Sequence, residues 1–237
     1  MKNNPKDPYF KHFVEDIEQR YHIRVLLVDD YKEIQIILNE LNSRIRSKRV
    51  FVSGAFSSFT SEIEEYSHNL SRNLASSLLE NDYRIVNGIG RRFGTHLIGY
   101  ANEYLAKQGV KDIEKHLIVK PFVGNTQAAA EEKYRSRKKV IGQCGTAIFV
   151  FGEMSENSSA TKSGVMEEFE IACEQHKTII PIAYPGMVSE IIWEKVKGEL
   201  TRYPYLEGRI DLLTSVQSPE FLSQIIIHIL DSVQESM

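Results

Sequence analysis

Three glycines stand at the junction of an apolar strand pattern and a helical one, in Asn87-Gly88-Ile89-Gly90-Arg91-Arg92-Phe93-Gly94-Thr95. Glycine there permits a tight turn, so that amide N–H groups at the next helix N-terminus can face a phosphate. Arg91 and Arg92 would add charge-assisted hydrogen bonds to the same anion. The spacing GxGxxxG is one residue off the dinucleotide fingerprint, and it follows the second strand of its domain. In this strand–loop–helix context phosphate binding is favoured over a plain turn.

Three other segments could meet the same ligand. In Val52-Ser53-Gly54-Ala55-Phe56 the glycine allows close approach of the backbone and the serine hydroxyl can bind a phosphate or ribose; an ordinary strand exit reads the same way. The basic helical stretch Ala128–Val140 carries Lys133, Tyr134, Arg135, Arg137, Lys138 and Lys139. A solvated face is the usual fate of such a run, yet Tyr134 and Arg135 could stack on a base or ribose and grip a pyrophosphate. Gly164-Val165-Met166-Glu167-Glu168-Phe169 opens a helix. Glu167 in its first turn either favours the helix dipole or projects toward ribose hydroxyls. His96, beside the glycine loop, is a lesser candidate. Trp193 and Cys173 read as core or interface side chains.

The elements that must position these groups alternate regularly from Arg49 onward. Strand patterns occupy Val50–Ser53, Tyr83–Val86, His116–Lys120, Thr146–Phe151 and Thr178–Ala183. Between them lie helical patterns, the first with Ile63, Tyr66, Leu70, Leu74 and Leu78 on one stripe, opened by a Ser61-x-x-Glu64 capping box. A last helix begins at Ser218-Pro219-Glu220, with Phe221, Leu222, Ile225, Ile229 and Val233 on its face. Short apolar strands separated by helices call for a Rossmann-like, doubly wound α/β fold: a mostly parallel sheet with helices on both faces. Residues 8–46 read as a short helix–strand–helix, with the strand in the apolar run Ile23–Val28. This divides the chain into residues 1–48, a tail or extension, and 49–237, the main domain.

Composition narrows the chemistry. The 237 residues carry a formal charge of −3 but are polarised, with +4 across residues 111–151 and −8 across 152–237. That balance argues against a nucleic-acid module. No apolar run is long enough for a membrane span, and the polar start Met1–Asp7 lacks a signal-peptide core, so a cytoplasmic protein is expected. Cys144 and Cys173 stand alone and the seven histidines are scattered without zinc spacing, so neither a disulfide framework nor a metal site is expected.

Taken together, Val50-Phe51-Val52-Ser53-Gly54, Gly88-Ile89-Gly90, Phe149-Val150-Phe151-Gly152 and Gly164-Val165-Met166-Glu167-Glu168 resemble a SLOG domain over about residues 49–235. Within that superfamily they are most similar to the C-terminal sensors of ThsA-type Thoeris anti-phage proteins. The run Tyr21–Tyr31 resembles the closing strand and helix of the sirtuin-like NADase that precedes such sensors. The resemblance implies a receptor for an isomer of cyclic ADP-ribose made by a partner TIR-domain protein, acting in a homo-oligomer, without cofactor, membrane or nucleic acid. Binding would release an upstream NADase, and this chain is not expected to degrade NAD itself. The ligand contacts it implies are Ser53, Gly54, Ala55, Gly88, Gly90, Arg91, Gly94, Arg135, Lys162 and Glu167, with Phe56, Phe122 or Tyr184 as walls for the adenine. LOG-type phosphoribohydrolases carry a PGGxGTxxE-like run; the stretch Gly152–Gly164 has neither its proline nor its double glycine. Hydrolysis through Arg135 and Glu167 is therefore the alternative to sensing.

Overall fold

A computed structural model of the chain describes residues 8–28, 30–57, 60–122, 127–154 and 163–235, with the side chains of 127–129 excepted. The chain divides into two compact units, Met1–Arg44 and Ile45–Met237.

In the first unit, helix α1 (Pro8–Tyr21) leads to helix α2 (Tyr31–Ser47), which continues into the second unit. Asp30 caps α2, its Oδ1 accepting from the amides of Lys32 at 2.6 Å and Glu33 at 3.1 Å. The expected strand at Ile23–Val28 does not form: residues 22–28 lie outside helix and strand. Apolarity alone does not make a strand, which needs a neighbour to complete its ladder. Here the Val25 amide donates instead to the Glu18 carboxylate at 3.0 Å.

The second unit is built on five strands: β1 (Arg49–Ser53), β2 (Arg84–Asn87), β3 (Leu117–Val119), β4 (Thr146–Val150) and β5 (Thr178–Ile182). They form one sheet in the order β3-β2-β1-β4-β5, and every pairing is parallel. Each strand stands within two residues of its expected place. The apolar runs are continuous because the central strands are covered on both faces; all five residues of β4 are buried.

Chain direction fixes the layers. The path runs from β1 outward to β3, then returns to β4 beside β1 and on to β5. Right-handed crossovers therefore put α3 (Ser61–Glu80) and α4 (Phe93–Lys107) on one face, and α5 (Gln127–Gly142) and α6 (Gly164–Glu174) on the other. Consistent with this, α3 packs on α4 and on α8 (Pro219–Glu235), whereas α5 packs on α6, which also meets α7 (Val188–Gly198). The reversal of direction lies between β1 and β4, which is where open α/β sheets bind ligands.

Two details depart from expectation. Helix α3 is capped one residue earlier, by Thr60, whose Oγ1 accepts from the Ile63 amide at 3.4 Å; Glu64 turns to other partners. Helix α8 does begin at Ser218, whose Oγ accepts from the Phe221 amide at 3.2 Å. Its buried face is rotated, however, to Leu222, Ile226, Ile229 and Leu230, leaving Phe221 exposed.

The core also silences its thiols. Cys144 is buried, and burial pushes its thiol up to about 12. Thiolate is the reactive form. Iodoacetamide at about pH 8, below the ordinary thiol value, is therefore expected to leave Cys144 unmodified in the folded protein and to alkylate it in urea. Peptide mass spectrometry reads the outcome; equal labelling in both states would contradict this packing.

Candidate functional site

The loops following β1 and β2 are pressed together backbone to backbone. A Cβ at Gly90 would overlap the Gly54 carbonyl oxygen, and one at Gly54 would stand 2.8 Å from the Val150 carbonyl oxygen. Asn87, buried at the end of β2, holds this arrangement. Its Nδ2 donates to the Val52 carbonyl at 2.8 Å, and its Oδ1 accepts from the Ile89 amide at 2.7 Å. Ile89 and Arg92 both adopt left-handed backbone conformations (φ +57° and +55°), so the loop between them turns sharply. Above it, the Phe56 amide donates to the Arg91 carbonyl at 3.3 Å and the Gly152 amide to the Ala55 carbonyl at 3.0 Å.

These loops wall a cleft of about 470 Å³ at the carboxyl ends of β1 and β2, closed on the far side by α5 and the start of α6. At its centre Glu168 is held from two sides. The Ser53 hydroxyl donates to Glu168 Oε2 at 2.6 Å, and Arg137 Nε donates to Oε1 at 3.0 Å. Arg137 Nη1 also pairs with Glu167. Its guanidinium carbon lies 5.4 Å from the centroid of the Phe122 ring, over which the cation rests. Arg137 and Glu168 are only 7% and 8% exposed. Burial raises the Glu168 carboxyl above its ordinary range, against the opposing pull of Arg137 and Ser53. Lys133 and Arg91 add cations at the rim, Arg91 donating to Ser57 Oγ at 3.4 Å. A buried carboxylate that can accept from hydroxyls, cations on two sides, and an aromatic wall form a set suited to a sugar phosphate.

Ser53, Gly54, Ala55, Gly88, Gly90 and Arg91, all expected from sequence, line this one cleft, as do Phe56 and Phe122. Gly94 is the second residue of α4, where a Cβ would stand 2.9 Å from Asn87 Oδ1; it supports the loop from behind. Arg135, also expected, is placed elsewhere. Its side chain is 80% exposed and pairs with Glu131 at 3.6 Å, outside the cleft. Two helical positions rotate a side chain by about 200°, so Arg137 takes the inward place. Glu167 is likewise beside the cleft and not among its lining residues, and Glu168, the next position, enters instead. Lys162 lies outside the described residues.

Tyr184 stacks against Phe151 and Tyr66 and does not line the cleft. Tyr134, His96 and Arg92 do not line the cleft either. Trp193 is half-buried and donates to the Ile210 carbonyl at 2.9 Å, as befits a core residue.

Sequence reasoning missed Arg137, Glu168, Asn87 and Lys133 as cleft residues. A signal existed for the first two. Arg137 falls on the inward stripe of α5 with Tyr134 and Ile141, and Glu168 on that of α6 with Val165 and Ala172.

A family model described as the Sir2- and TIR-associating SLOG family matches residues 33–233. The chain is 30% identical over 215 residues to the NAD(+) hydrolase ThsA of Bacillus cereus (strain MSX-D12), covering 89% of this chain and 44% of that protein. It is 30% identical over 191 residues to the NAD(+) hydrolase ThsA of Enterococcus faecium, covering 78% of this chain and 38% of that protein. The chain thus spans less than half the length of these relatives.

Proposed function

Since the chain belongs to the Sir2- and TIR-associating SLOG family, we propose that its cleft is the receptor site for an isomer of cyclic ADP-ribose, through which an attached NAD(+)-hydrolysing domain is regulated in anti-phage defence. The observation that carries this reading is the convergence of the two glycine loops with the buried Ser53–Glu168–Arg137 group at one end of the sheet. Arg91, Lys133 and the loop backbone take the pyrophosphate, Glu168 accepts from a ribose hydroxyl, and Phe122 flanks the base. The signal comes from a TIR-domain protein and is transmitted through packing in a homo-oligomer. The relatives' shared name, NAD(+) hydrolase ThsA, supports an attached NAD(+)-hydrolysing domain. No helix among the described residues is long and apolar enough to cross a membrane.

One observation favours a second reading. The raised carboxyl of Glu168 beside a guanidinium could hold a proton near a glycosidic bond, as hydrolysis of a nucleotide requires. Incubating the purified chain with AMP and with cyclic ADP-ribose isomers separates the two. A sensor returns every nucleotide intact by chromatography and mass spectrometry; release of free base or ribose phosphate would move the assignment to a phosphoribohydrolase.

A further inference from the structure

On the face of the sheet that carries α3 and α4, three side chains from the two helices converge. Glu64 and His68 lie one turn apart on α3, and His96 reaches them from the first turns of α4. Glu64 Oε1 stands 3.7 Å from His68 Nε2 and 3.4 Å from His96 Nε2, and the three groups' ligand atoms all lie within 4.8 Å of one another. These separations exceed those of good hydrogen bonds to a carboxylate, roughly 2.7–3.2 Å. They are close to the spacing of about 3.3 Å between ligand atoms placed tetrahedrally about 2.0–2.1 Å from one zinc ion.

The outer nitrogens are committed in a matching way. His96 Nδ1 is hydrogen-bonded to Ser67 Oγ at 3.1 Å, and His68 Nδ1 to Tyr100 Oη at 3.1 Å. Each ring is thereby oriented with Nε2 toward the same carboxylate, as second partners of metal-bound histidines do. The two rings are stacked, with centroids 3.8 Å apart, and their planes must diverge for both Nε2 lone pairs to meet one ion. Arg92 holds the carboxylate from the other side, its Nη1 at 3.3 Å from each Glu64 oxygen. Two imidazoles and a carboxylate, half-buried at a helix–helix contact, form a donor set that divalent transition metals favour.

We propose that Glu64, His68 and His96 form a binding site for a divalent transition metal, zinc foremost, that clamps α3 to the start of α4. The fourth position is left to water. Because the His96 amide donates to the Arg92 carbonyl at 2.8 Å, the clamp sits at the root of the loop that carries Arg91 into the cleft. The metal site is independent of the nucleotide reading and stands or falls by itself.

The test uses the full chain, stripped of metal by a chelator that is then removed, and titrated with Zn²⁺ against a chromophoric chelator and with Co²⁺ by visible absorption. One equivalent is expected to bind with micromolar affinity or better, with the intense visible bands of a four-coordinate cobalt centre. H68Q and H96Q are each expected to weaken binding by at least about tenfold and to abolish those bands. H228Q, at an exposed position on α8, is expected to bind as wild type, and circular dichroism confirms that each variant is folded. Absence of saturable binding in the wild type would overturn the proposal, as would binding that survives both H68Q and H96Q unchanged.

Discussion

Arg137→Ala is expected to eliminate ligand binding and to destabilise the second unit by about 3–5 kcal/mol, the cost of leaving a buried charge without its partner. The loss acts through the Glu168 carboxylate. That carboxylate is 8% exposed and, among the described residues, accepts hydrogen bonds from Ser53 and Arg137; removing the guanidinium takes away its charged partner. Glu167 loses the same partner. Burial already lifts the folded-state value of Glu168 above 4.5, so the protonated carboxyl is favoured in the folded state. Its contribution to stability is fully present below the unfolded-state value and is lost as pH rises through the folded-state value. Removing Arg137 takes away an opposing pull, so the variant should lose more stability than the wild type as pH rises. Urea unfolding followed across a pH series should show the variant's deficit growing as pH rises.

Arg137→Lys keeps a cation and is expected to fold better than the alanine variant while still binding ligand weakly. A lysine lacks the planar fork that reaches both glutamates. Arg135→Ala is the internal contrast. Its exposed pair with Glu131 is worth less than about 1 kcal/mol, so stability and ligand affinity should stay near wild type. Equal losses at positions 135 and 137 would contradict the inward orientation of Arg137.

Gly90→Ala has the second large expected effect. The added methyl would overlap the carbonyl oxygen of Gly54, a backbone atom that no rotamer change can move aside. Overpacking of this kind costs about 1–3 kcal/mol, and relief requires the two loops to separate, which remakes the cleft. Binding should therefore fall with stability. Gly99, within α4, is the control, because a Cβ there meets nothing within 4 Å. Gly99→Ala is expected to stabilise by about 0.5–1 kcal/mol through helix propensity. Denaturant unfolding of the two variants reads both signs; a tolerated Gly90→Ala would mean that the loops are not in contact.

The contrast between these glycines and the charged residues shows what the sequence could disclose. Strands such as Thr146–Val150 were legible because burial on both faces writes a continuous apolar run. Gly88 and Gly90 were legible because glycine stands out at a tight strand–loop–helix junction, where a Cβ would meet the Phe122 ring or the Gly54 carbonyl. Arg137 and Glu168 were passed over for Arg135 and Glu167. A basic run or an acidic doublet names a segment, and only helical phase against the neighbouring apolar residues says which member turns inward. Ile23–Val28 misled for a related reason, since hydrophobicity does not supply a ladder partner. The convergence of His96 on Glu64 and His68 was invisible because it depends on how α3 lies against α4, and no local spacing encodes that.

The central claim is that the cleft over β1, β2 and α6 is a nucleotide receptor. Calorimetric titration of the full chain with cyclic ADP-ribose linkage isomers tests it most directly. The account requires that at least one isomer bind at a single site with micromolar affinity or better and that Arg137→Lys weaken it at least about tenfold, the loss of one strong charge-assisted contact. Wild-type protein that takes up none of the isomers, or binds one equally well after Arg137→Lys, would contradict it.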